Sequence, residues 1–206
     1  MNYVYPMVVN AVPQPRRAAP GEGGRVELLD ARRAPLLARP FFEGGDPGAI
    51  VSAMAHVPEV LDATMPFLVQ MFGPSALPAR TKELVILRTS ALLDCRYCIQ
   101  SHSIAARDAG LAREEVLALR GDGPLGDQFT DRAERALLDW VDGVAGSTGP
   151  VPPEIGEALM SHFAEPDVIE LTLLAGTTMM LNRFCTALGL PTSQAALARL
   201  AEDGLL

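Results

Sequence analysis

Cys95-Arg-Tyr-Cys98-Ile-Gln-Ser-His102 is the stretch of this 206-residue chain on which the interpretation of its fold depends. The two thiols and the imidazole fall at positions i, i+3 and i+7, which share one face of a helix with 3.6 residues per turn. Asp94, directly before the stretch, is a favourable N-cap, and Gly110, after an alanine-rich run, is a favourable C′ residue. The spacing therefore predicts a helix between these two residues, with three reactive side chains on one face.

The position of the two cysteines in this predicted helix favours reactive thiols. Both lie in its first turn, where unpaired backbone N–H groups and the helix dipole stabilise a thiolate. Cys95 is nearer the N-terminus, whereas Cys98 has His102 one turn away, where the imidazole could hydrogen-bond to the thiol or take its proton. The chain has an odd number of cysteines and is too large to need disulfides. We therefore expect a reducing cytoplasmic location and a redox or nucleophilic role for the pair.

Other uses of a CxxC pair fit the sequence less well. A thioredoxin-like pair follows a strand in a βαβ unit, which the sequence lacks, and haem attachment needs histidine where Ile99 stands. Zinc needs four ligands, and the pair with His102 supplies three, so Cys185 or Glu83 would have to be the fourth. Cysteines that merely pack in the core are a further possibility. Zinc binding and core packing both stay open as less favoured alternatives.

Charge and hydropathy exclude several classes of partner. The chain has 17 Lys+Arg against 25 Asp+Glu, a net charge of −8, which disfavours nucleic acid. No run of about 18 apolar residues predicts a membrane span. The N-terminus lacks a charged region and is broken by Pro6, so it does not resemble a secretory signal. With Gly included and Tyr omitted, apolar residues make up roughly 56% of the chain against a typical 45–50%, and this excess favours burial between subunits, so we expect a homo-oligomer.

The chain divides into an N-terminal arm and a helical body. Residues 1–47 are rich in Pro, Gly and Arg, which predicts an extended arm, with one short strand or packed extended segment at 26–29. Pro40-Phe41-Phe42 is expected to anchor the arm on the body. Residues 48–206 predict one helical domain, and the fold class is all-α. Besides the motif helix, the predicted helices are 51–56, 58–72 with a kink or boundary at Pro66, 78–93, 113–120, 130–144, 152–163, 165–188 and 192–202.

Glu83 is the second candidate site residue. It precedes the apolar run Leu84-Val-Ile-Leu87 in the helix that leads into the motif helix. A carboxylate beside such a run is either a solvated edge, paired with Lys82 or Arg80, or an inward group near the thiols. The pattern alone favours the solvated edge.

Other polar and sulfur-containing residues are expected to serve the structure. Cys185 lies in a long apolar helix and is predicted to be a core residue. Arg183 in the same helix is expected to form a structural salt bridge. His56 and His162 have no partner pattern and are predicted to be structural or surface residues.

Glu83, an eleven-residue spacer, Cys95-x-x-Cys98, three residues and His102 together resemble the alkylhydroperoxidase D-like branch of the carboxymuconolactone decarboxylase family. The wider run from Arg80-Thr-Lys-Glu to Ala105-Ala-Arg-Asp-Ala-Gly-Leu resembles that family's core, and Asn182-Arg183 resembles its later helix, so that the likeness covers about residues 48–190. It implies an all-α fold that commonly assembles as trimers or hexamers. It also implies a thiol-dependent peroxidase or disulfide reductase that uses no metal or flavin.

Carried onto this chain, the resemblance makes Cys98 the peroxidatic thiol, Cys95 the resolving thiol, and His102 and Glu83 a proton relay. It thereby favours the inward position of Glu83. The implied substrate is a hydroperoxide and the implied reductant a dithiol, which in the best-known relatives is a protein-bound lipoyl group. The founding peroxidase type has histidine between the cysteines, where this chain has Tyr97. The alternative is a non-enzymatic oligomeric protein of this family whose cysteines sense redox state or pack.

Overall fold

The all-α class is confirmed for residues 24–206, the part of the chain that the computed structural model describes, and no strand occurs in this part. A 3₁₀ helix comes first, followed by ten α-helices. These elements are the 3₁₀ helix Leu36–Phe42, α1 Ala49–Met54, α2 Pro58–Phe72, α3 Ala79–Leu92, α4 Arg96–Asp108, α5 Arg113–Arg120, α6 Leu125–Gln128, α7 Arg132–Gly146, α8 Pro153–Met160, α9 Glu165–Leu188 and α10 Gln194–Glu202.

The predicted helices agree with these elements to within a turn at every end, and α2, α5 and α9 agree at both ends. Pro66 neither ends nor divides α2. Pro66 has no N–H to donate to the carbonyl of Asp62. Both residues are exposed, so water can bind that carbonyl instead. The 3₁₀ helix and α6 were not expected, because elements this short leave little periodicity in a sequence.

Helix α3 lies at the centre of the molecule and packs against α4, α5, α7 and α9. The consecutive residues Leu84, Val85, Ile86 and Leu87 are all buried, as expected for a helix that is covered on every side. This central position matters for the site, because α3 carries Glu83 and leads directly into α4.

Residues 24–47, the described part of the predicted arm, lie against the helical body. The backbone N–H of Leu29 donates to the carbonyl of Ser52 at 3.2 Å, and no strand forms at 26–29, so this segment is packed and extended. Phe42 is buried and Phe41 packs against the same cluster, which confirms the predicted anchor. The rest of the predicted arm, residues 1–23, lies outside the described residues.

The longest helix, α9, ends at Gly189, which takes the left-handed conformation with φ +64. Neither α9 nor any other helix within residues 24–206 has the length and hydropathy needed to cross a membrane.

Candidate active site

The junction between α3 and α4 fixes the two cysteines of the motif. Leu93 caps the C-terminus of α3, Asp94 adopts the left-handed conformation with φ 51, and Cys95 occupies the N-cap of α4. The prediction of Asp94 as N-cap is therefore wrong by one residue. Aspartate tolerates a positive φ, and here it turns the chain between two helices that only three residues separate. Cys98 consequently lies at the third helical position of α4.

The other end of α4 follows the prediction. Gly110 has φ +90, its N–H bonds to the carbonyl of Arg107, and the N–H of Leu111 bonds to the carbonyl of Ala106, each at 3.0 Å. This pair of bonds is a Schellman motif, so Gly110 is the C′ residue of the helix.

Three sulfurs meet beneath the start of α4. The Sγ atoms of Cys95 and Cys98 are 2.9 Å apart, and those two with the Sγ of Cys185 all lie within 4.8 Å of one another. All three cysteines are buried, and they pack with Ala49 and Ala53 of α1. We call these three residues the thiol cluster.

Sequence reasoning predicted that Cys185 is buried but missed its contact with the pair. Cys185 comes from α9, far along the chain from α4. A signal was available, since Cys185 follows the Asn182-Arg183 segment by less than one helical turn, in a region that resembles the family. The zinc alternative requires the sulfur of Cys185 to lie beside the pair, and it does. The same alternative also requires His102, which lies outside the cluster.

Negative charge is unevenly distributed over the thiol cluster. Hydrogen bonds from Cys185 and Cys98 lower the pKa of Cys95 to about 3. The Cys185 contact acts to lower the pKa of Cys98, but the bond to Cys95 and burial outweigh it and raise that pKa to about 12. Bonds to Cys95 and Cys98 also raise the pKa of Cys185. These shifts favour a thiolate at Cys95 over one at Cys98 or Cys185, as the helix dipole also does.

Glu83 and His102 form a separate polar pair. The Oε2 of Glu83 lies 3.0 Å from the Nδ1 of His102, and their side chains are 13% and 26% exposed. Glu83 pairs with neither expected partner, because Lys82 contacts Glu170 and Arg80 contacts glutamates of α5 and α7. The solvated-edge interpretation of Glu83 is therefore wrong.

The imidazole of His102 does not contact the thiols directly. Within residues 24–206, no hydrogen bond joins His102 or Glu83 to a sulfur, and the Nε2 of His102 has no hydrogen-bond partner. His102 nevertheless follows Cys98 by one turn of α4, on the same side of the helix. A proton could pass between them through a water or through the substrate.

Asn182 is a buried amide beside the cluster, on α9. Its Nδ2 donates to the Oγ of Ser90 at 3.2 Å, and its Oδ1 has no partner among the described residues. The amide also lowers the pKa of Cys95 and Cys98, although less than the sulfur contacts do. The neighbouring Arg183 is exposed and forms no ion pair in the described part of the chain, contrary to the expected salt bridge. Adjacent helical residues point about 100° apart, so Asn182 faces inward while Arg183 faces solvent.

Two clefts adjoin the residues around the thiol cluster. One, of about 690 Å³, is bordered by Tyr97 and Ser101 of α4. The other, of about 590 Å³, is largely apolar and is bordered by Ala53, Phe184 and Leu188. Burial raises the pKa of Tyr97 to about 12, so its phenol is protonated at neutral pH and can donate a hydrogen bond.

Comparison with known proteins finds proteins of similar sequence and fold. The model of the carboxymuconolactone decarboxylase family matches residues 58–141, a range that contains Glu83, Cys95, Cys98 and His102. The uncharacterized protein YdfG of Bacillus subtilis (strain 168) is 25% identical over 116 residues, which are 56% of this chain and 78% of that protein.

Two solved structures share the fold. The alkylhydroperoxidase AhpD core of an uncharacterized peroxidase-related protein from Ralstonia eutropha JMP134 matches with a TM-score of 0.73 and 18% identity, covering 84% of this chain and 94% of that one. The debrominase Bmp8 matches with a TM-score of 0.70 and 22% identity, covering 85% of this chain and 96% of that one. At these identities the likeness concerns the fold.

Proposed function

We propose that this chain, which the model of the carboxymuconolactone decarboxylase family matches over residues 58–141 and which has the fold of alkylhydroperoxidase D-like proteins, is a thiol-dependent oxidoreductase that reduces hydroperoxides. The observation that carries the proposal is the 2.9 Å contact between the sulfurs of Cys95 and Cys98. A disulfide needs about 2.05 Å between its sulfurs, so a small side-chain movement closes the bond and releases two electrons. Those two electrons are what the reduction of a peroxide requires.

Cys98 is the attacking thiol in this proposal and Cys95 the resolving thiol. Cys98 is 5% exposed and Cys95 is 0% exposed, so Cys98 is the more accessible of the two to a substrate. The low pKa of Cys95 suits a resolving thiol, which must be a nucleophile towards a sulfenic acid and a good leaving group when the disulfide is reduced. Cys98 must give up its proton before it attacks, and this is the task proposed for His102 and Glu83.

The reaction follows in three steps. First, His102 takes the proton of Cys98, Glu83 stabilises the imidazolium, and the Cys98 thiolate attacks the distal oxygen of ROOH; the O–O bond breaks and ROH leaves with the relay proton. Second, the Cys95 thiolate attacks the Cys98 sulfenic acid, which forms the disulfide and expels hydroxide. Third, one sulfur of an external dithiol attacks the sulfur of Cys98 and Cys95 leaves as a thiolate; the second sulfur of the dithiol then attacks the first, closes the dithiol's own disulfide and releases Cys98 as a thiol. A lipoyl group would serve as this dithiol.

Self-association belongs to the same proposal. Val57, Val60 and Met180 border the apolar cleft and are about half exposed, and burial of such side chains between subunits would stabilise a trimer or hexamer. Light scattering of the full chain measures the subunit number directly, and a monomer at every concentration would contradict this part.

Thiol titration with peptide mass spectrometry tests the chemistry. One equivalent of hydroperoxide should oxidise two thiols of the reduced protein and yield a disulfide that contains Cys98. Cys98→Ser should abolish peroxide consumption, whereas the matched Cys95→Ser should still consume one peroxide per chain when no dithiol is present. Loss of consumption in Cys95→Ser, with consumption retained in Cys98→Ser, would exchange the two roles. Oxidation of no thiol would contradict the proposed function.

Two outcomes would favour other functions of the same site. A disulfide that forms with peroxide but is not turned over by any dithiol, lipoyl compounds included, would indicate a redox sensor. The debrominase shares this fold, and a thiolate can also attack bromine, so 2,3,4-tribromopyrrole belongs in the same assay. Consumption of that compound without peroxide turnover would make dehalogenation the better assignment.

A further inference from the structure

Cys185 is a buried thiol that the proposed mechanism leaves unused. Its sulfur lies within 4.8 Å of both sulfurs of the motif, and its helix, α9, packs against α4. Cys185 is 2% exposed, so its reaction partners are the other members of the thiol cluster. At this distance Cys185 is close enough to react with an oxidised form of the pair.

We propose that Cys185 is a second resolving thiol, which forms a disulfide with Cys98 and thereby links α4 covalently to α9. The proposal rests on the proposed function in one respect, namely that Cys98 is the cysteine that peroxide oxidises. It adds a third redox-active residue and a second oxidised form of the protein.

Two balanced routes lead to this bond. In the first, the Cys185 sulfur attacks the Cys98 sulfenic acid; an S–S bond forms, the S–O bond breaks, and the hydroxide takes the proton of Cys185 and leaves as water. In the second, Cys185 attacks the Cys98 sulfur of a Cys95–Cys98 disulfide, and its proton passes to the departing Cys95 sulfur. The second route needs no further oxidant, because one disulfide replaces another.

The distribution of charge explains why Cys98 is the partner rather than Cys95. Exchange is faster when the displaced thiol has the lower pKa, and the pKa of Cys95 is lowered while that of Cys98 is raised. Cys185 therefore attacks Cys98 and displaces Cys95. In the reduced protein Cys185 instead donates its S–H to the thiolate, so the same side chain stabilises the resting state and resolves the oxidised one.

The bond has a measurable consequence for the protein. It closes a long loop between α4 and α9, and closing a long loop restricts the unfolded chain more than closing the three-residue interval between Cys95 and Cys98. It also removes the Cys98 sulfenic acid before a second peroxide can convert it to sulfinic acid.

The test uses the full chain as Cys95→Ser, with the double variant Cys95→Ser/Cys185→Ala as matched control. Diamide, a two-electron thiol oxidant that needs no peroxidase chemistry, should produce the Cys98–Cys185 peptide in Cys95→Ser and raise its Tm. One equivalent of hydroperoxide should produce the same peptide, while the double variant should accumulate a Cys98 sulfenic acid that dimedone traps. A Cys185→Ser double variant replaces the alanine form if the latter folds poorly.

The outcomes separate this inference from the proposed function. If diamide yields the Cys98–Cys185 bond but hydroperoxide oxidises nothing, the inference survives and the peroxidase function fails. If hydroperoxide yields equal dimedone labelling of Cys98 in both variants, and diamide yields no bond, the inference is overturned and the peroxidase function stands. In the wild type, Cys185→Ala should increase the sulfinic acid found at Cys98 under excess peroxide, and an unchanged amount would count against a resolving role.

Discussion

Lys82 and Glu83 are neighbours on α3, and both are largely removed from solvent, yet their surroundings differ. The Nζ of Lys82 donates to the carbonyls of Met71 at 3.1 Å and Gly73 at 2.8 Å, and lies 2.9 Å from Glu170. Two of the three donors of this ammonium group thus bond to carbonyls, and the carboxylate of Glu170 balances its charge; we call such a charge saturated. Glu83 has one ionisable partner, His102. A saturated charge fixes helices in place, whereas a charge with a single titratable partner remains available for proton transfer.

The same helix can serve both purposes because adjacent side chains point about 100° apart. Lys82 ties the end of α2 and the start of α9 to α3, while Glu83 faces α4 and its histidine. Mutations at these two neighbours should therefore have effects of different kinds, one on stability and the other on rate.

The largest effect is expected from Lys82→Met. This change leaves the carbonyls of Met71 and Gly73 and the partly exposed Glu170 carboxylate without the buried cation, and losing the hydrogen bonds of a charged group costs about 3 kcal/mol. Urea denaturation of the reduced protein measures the loss. Arg33→Met, which breaks the exposed pair with Glu27, is the control and should leave the free energy of unfolding unchanged within error. Equal losses in the two variants would contradict the saturation argument.

The next effect is expected from Glu83→Gln, and it concerns rate. An amide cannot stabilise a protonated His102 as a carboxylate does, so oxidation of Cys98 by hydroperoxide should slow about 10²-fold. Stability should change by less than about 1 kcal/mol, because glutamine can still bond to the imidazole. Stopped-flow peroxide kinetics and urea denaturation measure the two quantities. An unchanged rate would make the Glu83–His102 pair a structural contact.

Much of this contrast could not have been predicted from the sequence. Helix positions follow from local periodicity and caps and agree with the structure to within a turn, and the same periodicity places Cys98 and His102 on one side of α4. Lys82, the only lysine of the chain, was expected at the surface beside Glu83, because a charged pair next to an apolar run is indistinguishable from a solvated edge. Its true partners come from α2 and α9. The contact of Cys185 with the pair was missed for the same reason, since it depends on how α9 packs.

A smaller effect, with a defined pH dependence, is expected from Glu170→Gln. The Ser75 hydroxyl and the Lys82 ammonium hold the pKa of the Glu170 carboxyl below its usual range. A lowered folded-state pKa contributes stability above the unfolded pKa and loses it as the pH falls below that value. The variant should therefore be about 1–2 kcal/mol less stable than the wild type at neutral pH, and the difference should shrink in acid. Urea denaturation at several pH values checks the trend, and a difference that is constant with pH would refute it. Peroxide kinetics should not change.

The smallest effect is expected from a second pair of neighbours on α3, Thr89 and Ser90, both fully buried. The Oγ of Ser90 accepts from the Asn182 amide, whereas the Oγ1 of Thr89 has no partner within residues 24–206. Ser90→Ala leaves the amide donor unpaired and should cost about 1 kcal/mol. The matched change Thr89→Val removes an unpaired hydroxyl at nearly constant shape and should be neutral or stabilising.

Urea denaturation of both variants decides whether hydrogen bonding, rather than burial, determines how much a polar group on this helix contributes to the free energy of unfolding. Opposite signs are expected, although the two hydroxyls are adjacent and equally inaccessible. Equal losses would mean that packing volume dominates at this position and that the Asn182–Ser90 bond contributes little. In that case Asn182 would be held beside the thiol cluster by α9 alone, and Ser90→Ala should also leave the alkylation rate of the reduced thiols unchanged.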